Sequence, residues 1–281
     1  MTPKDGKSRD PEVSDWWRTK IVEMEAGVIR YHGYPIEDLI GRITFPQVIW
    51  LLLRGELPSN AQASLLDAAM VSAVDHGPQA PSIAIARMAA TCGVGLNNAM
   101  ASALNVLGDV HGGAGEQAVE LYQKVASQIA DGSSMSTAVK SSLSDIQSCG
   151  DYIPGFGHRF HPIDPRATRL LELVGRAAEN GTISGLFAKI AGEIEKQLEM
   201  LKGKHIPLNI DGATAVIYAE LGFPAPLARG LFCLSRSVGI LANAWEQKEQ
   251  GGRNKGPLPK DYTWTYDGPA QRVVPNQDDL K

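Results

Sequence analysis

Six histidines stand in this chain, and His76, His111 and His158 each adjoin glycine, so that backbone and imidazole can crowd a ligand. His76 falls in Asp75-His76-Gly77-Pro78, at what reads as a helix end. His111 opens His111-Gly112-Gly113-Ala114, and His158 lies in Gly155-Phe156-Gly157-His158-Arg159. An imidazole near neutral pH can donate a hydrogen bond, accept a proton or bind a metal. Unrelated loop or core histidines would leave the same pattern, and spacing alone leaves both readings open. Asp211, in Leu208-Asn209-Ile210-Asp211-Gly212, opens an apolar helix. Its carboxylate could be a base or a helix N-cap, and the two roles are compatible. Arg166 follows Asp164-Pro165 at another helix start, and Arg236 sits among Cys233, Leu234, Val238 and Ile240. An arginine in such apolar company is paired with something, either a protein or a substrate carboxylate, which its planar fork recognises in bidentate fashion.

Other chemistries are poorly served. His158-x-x-His161 has ligand-like spacing, but no Cys pair or Glu completes a set, so no metal is expected. The glycine-rich run Gly108–Gly115 lacks the Gly-Lys-Ser/Thr of a phosphate loop, and no Gly-x-Ser-x-Gly elbow occurs. The formal net charge of −4 supplies no basic field for nucleic acid or anionic lipid, so anionic substrates need local arginines. No unbroken run of roughly eighteen apolar residues suggests a membrane span. The polar Met1–Pro11 lacks a signal-peptide core. Three scattered cysteines, Cys92, Cys149 and Cys233, fit a reduced cytoplasmic protein.

The elements that must position these residues read as helices. The chain has 281 residues, 43 % hydrophobic and 21 % charged, enough for one large or two small domains. Met1–Pro11 reads as a flexible arm, and Gly27 to Tyr34 as a short hairpin or extended piece. Helices are expected from Phe45 to a stop at Gly55 and Pro58, then over Gln62–Val74, Glu116–Ala130, Met135–Ser148, Pro165–Glu179, Ser184–Lys202, Ala213–Leu221 and Pro226–Gln250. Ser82–Leu107 is rich in small residues and predicts a buried central helical hairpin turning at Gly93 and Gly95. The resulting division is an N-terminal arm over 1–26, a large helical domain over 27–164 and 205–250, a small and more highly charged helical domain over 165–204 that could be mobile, and a tail over 251–281. No strand series or internal repeat is visible, so the fold class is all-α.

Six ordered motifs together resemble the citrate synthase superfamily: Asp75-His76-Gly77-Pro78, His111-Gly112-Gly113-Ala114, Pro154-Gly155-Phe156-Gly157-His158-Arg159, Asp164-Pro165-Arg166, Asn209-Ile210-Asp211 and Ser235-Arg236-Ser237-Val238-Gly239. Arg30–Leu39 and Leu52–Pro58 look like the family's N-terminal signature, and the likeness runs from Gly27 to about Gln250. A helical stretch common in synthases between Leu57-Pro58 and His76 is missing. In this the chain is similar to citryl-CoA lyases and to the C-terminal module of ATP-citrate lyase. The resemblance implies cleavage of citryl-CoA to acetyl-CoA and oxaloacetate. Within it, His111 would hold the thioester enolate, Asp211 would move the methyl proton, and His158 would exchange a proton with the keto or hydroxyl oxygen. His76, Arg166 and Arg236 would bind carboxylates. Ile153, Pro154, Gly155, Phe156, Gly157 and Arg159 would line the coenzyme A site, mostly through backbone groups. It further implies no tightly bound cofactor, coenzyme A thioester as substrate, a homodimer or larger oligomer, and a separate ligase supplying citryl-CoA.

Two departures stand out. The family's second-subunit arginine near the C-terminus has no secure counterpart, with Arg253 and Lys260 as candidates, and Gly115 stands where synthases commonly carry Asn. Condensation by a citrate or methylcitrate synthase is the alternative within the same chemistry, and a non-catalytic acyl-CoA-binding protein is the alternative outside it. Trp16, Trp17, Tyr262, Trp264 and Tyr266 would cover either a neighbouring subunit or the chain's own core.

Overall fold

The computed structural model describes residues 16–159 and 161–276. The arm expected over Met1–Pro11 lies outside them. The hairpin expected near Gly27 is part of a three-stranded antiparallel sheet, β1 (Val22–Glu25), β2 (Val28–Tyr31) and β3 (Tyr34–Pro35), with Val22 opposite Tyr31 and Arg30 opposite Pro35. Helices make up the rest: α1 (Ile36–Leu39), α2 (Phe45–Arg54), α3 (Asn60–Ser72), α4 (Pro81–Thr91), α5 (Leu96–Leu104), α6 (Ala114–Ala130), α7 (Met135–Ser148), α8 (Pro165–Glu179), α9 (Leu186–Lys202), α10 (Ile210–Glu220) and α11 (Ala225–Glu249). Their starts follow capping chemistry. Ser59 and Gln62 form a reciprocal capping box at α3, which therefore begins two residues before the expected Gln62. Asp164 caps α8, with Pro165 at its first position.

The chain divides into two compact units, one drawn from the described part of Met1–Asp75 with Leu107–Val238, the other from His76–Val106 with the described part of Gly239–Lys281. In the first, α6 and α10 lie side by side, with α3, α7, α8 and α9 packed around them. Leu66, Tyr122, Val125, Leu143, Leu170, Ile194, Ile217 and Phe223 are buried there, each stabilising the fold by roughly 1.5–3 kcal/mol. Helix α10 is buried at every position from Gly212 to Ala219, so its start is held rigidly. In the second unit, α4 and α5 form the hairpin that the small residues predict. Its core joins Ala86, Ala90, Ala99 and Ala103 to Ile240 and Ala244 of α11. The hairpin therefore centres the second unit rather than the larger body.

Packing does not separate 165–204 as a domain. Leu170 and Val174 of α8 and Ile190 and Ile194 of α9 belong to the first unit's core. The charge that set these helices apart in the sequence lies on their exposed faces, as in Arg169 and Glu172. Trp16, Trp17, Tyr262, Trp264 and Tyr266 are all exposed rather than laid over a core. By length and mean hydropathy α11 meets the measure of a membrane-crossing helix, although it contains no unbroken apolar run of that length. It buries Ser235, Arg236 and Gln247 within the protein.

Candidate active site

His111 stands in a tight loop between Leu107 and the start of α6. The Gly108 N–H donates to the His111 carbonyl at 2.9 Å. Gly112 adopts φ +97°, and a methyl there would meet the Phe232 ring at 3.0 Å. A methyl on Gly113 would strike the Asp109 carbonyl oxygen at 2.6 Å. Both glycines are thus needed to fold the loop back on itself and press it on α11. Burial lowers the His111 pKa below the ordinary 6.5, and the Arg236 guanidinium pushes the same way. His111 is therefore a neutral imidazole at neutral pH, able to donate a hydrogen bond without carrying charge.

Asp211 sits in the first turn of α10, but it is not the cap. The Asn209 side chain accepts from the Asp211 and Gly212 amides at 2.9 and 3.1 Å, which leaves the Asp211 carboxylate out of the capping role. Asn209 also donates from Nδ2 to the Gly157 carbonyl at 2.7 Å. The glycine loop and the segment before α10 pair as a short antiparallel bridge at Phe156 and Leu208, with Gly157 N–H to Pro207 O at 2.8 Å and Asn209 N–H to Gly155 O at 2.9 Å. Gly155 and Gly212 touch backbone to backbone, and a methyl on Gly212 would come within 2.4 Å of the Gly155 oxygen. Burial raises the Asp211 pKa, while Arg236 and then Arg166 draw it down. The outcome is a carboxylate poised above its ordinary range.

Arg236 joins the two groups. It is 6 % exposed, its Nε donates to the Ala73 carbonyl at 3.1 Å, and its guanidinium lies 4.8 Å over the Phe232 ring. Burial lowers its pKa, while Asp211 and Asp75 favour its charge. Arg166 makes a bidentate pair with Asp164 through Nε at 3.0 Å and a terminal nitrogen at 2.8 Å. Asp164 is buried and also accepts from the Ile210 amide at 3.2 Å, which ties α8 to the start of α10. Burial opposes the Asp164 charge, yet these hydrogen bonds hold its pKa low. His158 feels the same group. Burial lowers its pKa, Asp164 works against that, and His161 and Arg166 add to it. Its Nδ1 accepts from the His161 amide at 3.1 Å, which puts the neutral ring's proton on Nε2.

The structure thus brings His111, His158, Asp211, Arg166 and Arg236 into one electrostatic group in the first unit. His76 belongs to the second unit. Within the glycine loop, Ile153 and Phe156 lean on the core and Arg159 is exposed. Gly155 O and both backbone groups of Gly157 are taken up by residues 207–209. Among the described residues no set of three or more His, Cys, Asp or Glu side chains could hold a metal. A cavity of about 680 Å³ lies in the second unit between Thr91, Cys92, Lys248 and Arg253, and none of the grouped residues lines it. Sequence reasoning missed Asn209 and Asp164 as parts of the site. Asn at a helix start and Asp before Pro are both cap signatures and were available signals. It also missed Arg229 of α11, which pairs with Asp109 at 2.6 Å and with Glu116.

Comparison with known proteins follows the same lines. The family profile described as citrate synthase, C-terminal domain, matches residues 13–65 and 59–256. The citrate synthase of Heyndrickxia coagulans is 33 % identical over 220 residues, 76 % of this chain and 54 % of that protein. That of Acidithiobacillus ferridurans is 30 % identical over 201 residues, 70 % of this chain and 50 % of its own length. The chain therefore spans about half the length of the curated relatives it matches. Among solved structures, a citryl-CoA lyase from Hydrogenobacter thermophilus is similar with a TM-score of 0.82 and 32 % identity, over 95 % of this chain and 100 % of that one. The ATP citrate lyase of Methanothrix soehngenii shares the fold, with a TM-score of 0.77 and 22 % identity over 100 % of this chain and 46 % of that one. With a glycine-folded histidine loop, a carboxylate at the start of a buried helix and a profile match over most of its length, the chain belongs to the citrate synthase family.

Proposed function

We propose that the protein cleaves citryl-CoA to acetyl-CoA and oxaloacetate through a thioester enolate. The observation that carries this reading is that a neutral imidazole, His111, and a carboxylate of raised pKa, Asp211, are served by one buried guanidinium, Arg236. An enolate needs an oxyanion donor on its oxygen and an acid–base group at its carbon. In cleavage, His158 first releases the His161 amide and carries its proton on Nδ1; the tertiary hydroxyl proton then passes to the freed Nε2 and the carbon–carbon bond breaks. Its electron pair forms the enolate held by His111, and Asp211 delivers a proton to the carbon, leaving a methyl group. Arg236 and Arg166 bind carboxylates, and exposed Arg159 meets coenzyme A phosphates. Citryl-CoA must be supplied by a reaction that activates citrate as its thioester, which assigns that step to a ligase partner. The full-length likeness to a citryl-CoA lyase supports the cleavage direction.

One observation favours condensation as a second reading. With Nδ1 accepting from the His161 amide, His158 presents Nε2–H, the donor form that suits a keto oxygen. Cleavage requires the other tautomer and release of that amide. The test is to give the purified protein citryl-CoA and identify products by mass spectrometry, then give it acetyl-CoA with oxaloacetate and follow free thiol. Acetyl-CoA and oxaloacetate without thiol release are expected. Rapid thiol release from the second mixture would make the protein a synthase, and binding without turnover in either would make it an acyl-CoA-binding protein.

The exposed apolar residues of α11, Leu234, Val238, Leu241 and Trp245, recur at the spacing of a helix-pairing seam. With the exposed tail aromatics they support a homodimer.

A further inference from the structure

The His111 loop is held from outside by a charged clamp. Asp109 lies two residues before His111, and Glu116 lies in the first turn of α6 immediately after the loop. Arg229 of α11 reaches both, with a terminal nitrogen 2.6 Å from Asp109 Oδ1 and its Nε against Glu116 Oε2. The Asp109 carbonyl accepts in addition from Gln117 Nε2 at 3.2 Å. On the same face of α11, at the i, i+3 and i+7 positions, stand Arg229, Phe232 and Arg236. Phe232 backs Gly112 of the loop, and Arg236 acts on both His111 and Asp211. One helix face therefore both grips the loop that carries the imidazole and places the cation that tunes it. The loop has no side-chain cap at the start of α6, since Gly113 occupies the capping position and Gly115 follows. The clamp supplies the restraint that such a cap would otherwise give.

We propose that Arg229 is a positioning residue for the enolate donor, setting where His111 points by bridging Asp109 and Glu116. The proposal rests on the reading of His111 as that donor. Displacement of a donor by a fraction of an ångström weakens the interaction realised at the transition state while leaving substrate binding nearly unchanged. Arg229→Ala and Asp109→Asn should each lower kcat about tenfold with KM for the acyl-CoA within about twofold, and the double variant should lose little more than either alone. The His111 imidazole, followed by NMR, should titrate closer to 6.5 in both variants as the loop loosens. Asp109 is largely exposed, so Asp109→Asn keeps the test available if Arg229→Ala does not fold. His111→Ala is the reference. If it retains wild-type turnover, the reading of the site is wrong. If it is inactive while Arg229→Ala and Asp109→Asn keep wild-type kcat and an unmoved His111 titration, the positioning role is overturned and the clamp is only structural.

Discussion

His111 and Asp211 are set to opposite protonation problems by the same surroundings. Burial favours the neutral form of each, which lowers the imidazole's pKa and raises the carboxylate's. Arg236 then adds to the first effect and opposes the second. His111→Ala and Asp211→Asn should each reduce kcat by at least about 100-fold, judged by steady-state kinetics on folded protein, since both contribute at the transition state. Arg236→Gln carries a sign that can be worked out. Removing the cation withdraws the influence that holds Asp211 down, so its pKa should rise further. In a pH series of deuterium exchange into the acetyl-CoA methyl group, where Asp211 must be ionised to act as base, the acid limb should move to higher pH. A limb that stayed in place would mean that Arg236 does not govern Asp211.

Helix starts decide whether these side chains meet. Asn209 caps α10, Asp164 ties the same start to α8, and the glycine loop is laid on it through the Gly155–Gly212 contact. That contact has no room for a Cβ. Gly212→Ala should push the 153–159 loop off α10 and cost about 1–3 kcal/mol, measured by urea unfolding, as overpacking at a rigid contact does. It should also weaken acyl-CoA binding, because the same loop carries His158 and Arg159. Parts of this were legible in advance. The Pro165–Glu179 helix has the expected bounds because Asp-Pro is a strong start signal. The reading of Asp211 as a possible cap was displaced because Asn209, two residues earlier, has the better geometry and already fills the role.

For the whole molecule, the proposed homodimer has a defined seam. Leu234, Val238, Leu241 and Trp245 are 45, 59, 41 and 51 % exposed, an unusual load of apolar surface for one helix. Light scattering should report a dimer for the wild type and a monomer for Trp245→Asp, since a charge buried at such a seam is unpaired. A wild-type monomer would remove the seam. The helical character and most element bounds were readable because period and punctuation are local properties of a sequence.

Local chemistry alone determined that this chain is helical, that its glycines fold loops around His111 and His158, and that Asp211 begins an apolar helix. Which residues share a site was decided by packing. The charged helices over 165–204 joined the first unit's core because their apolar faces, not their charges, set their neighbours. Arg229 carries no signal in its own neighbourhood of the sequence. Its meaning lies in two carboxylates more than a hundred positions away, Asp109 and Glu116, which only a folded chain brings within reach of one guanidinium.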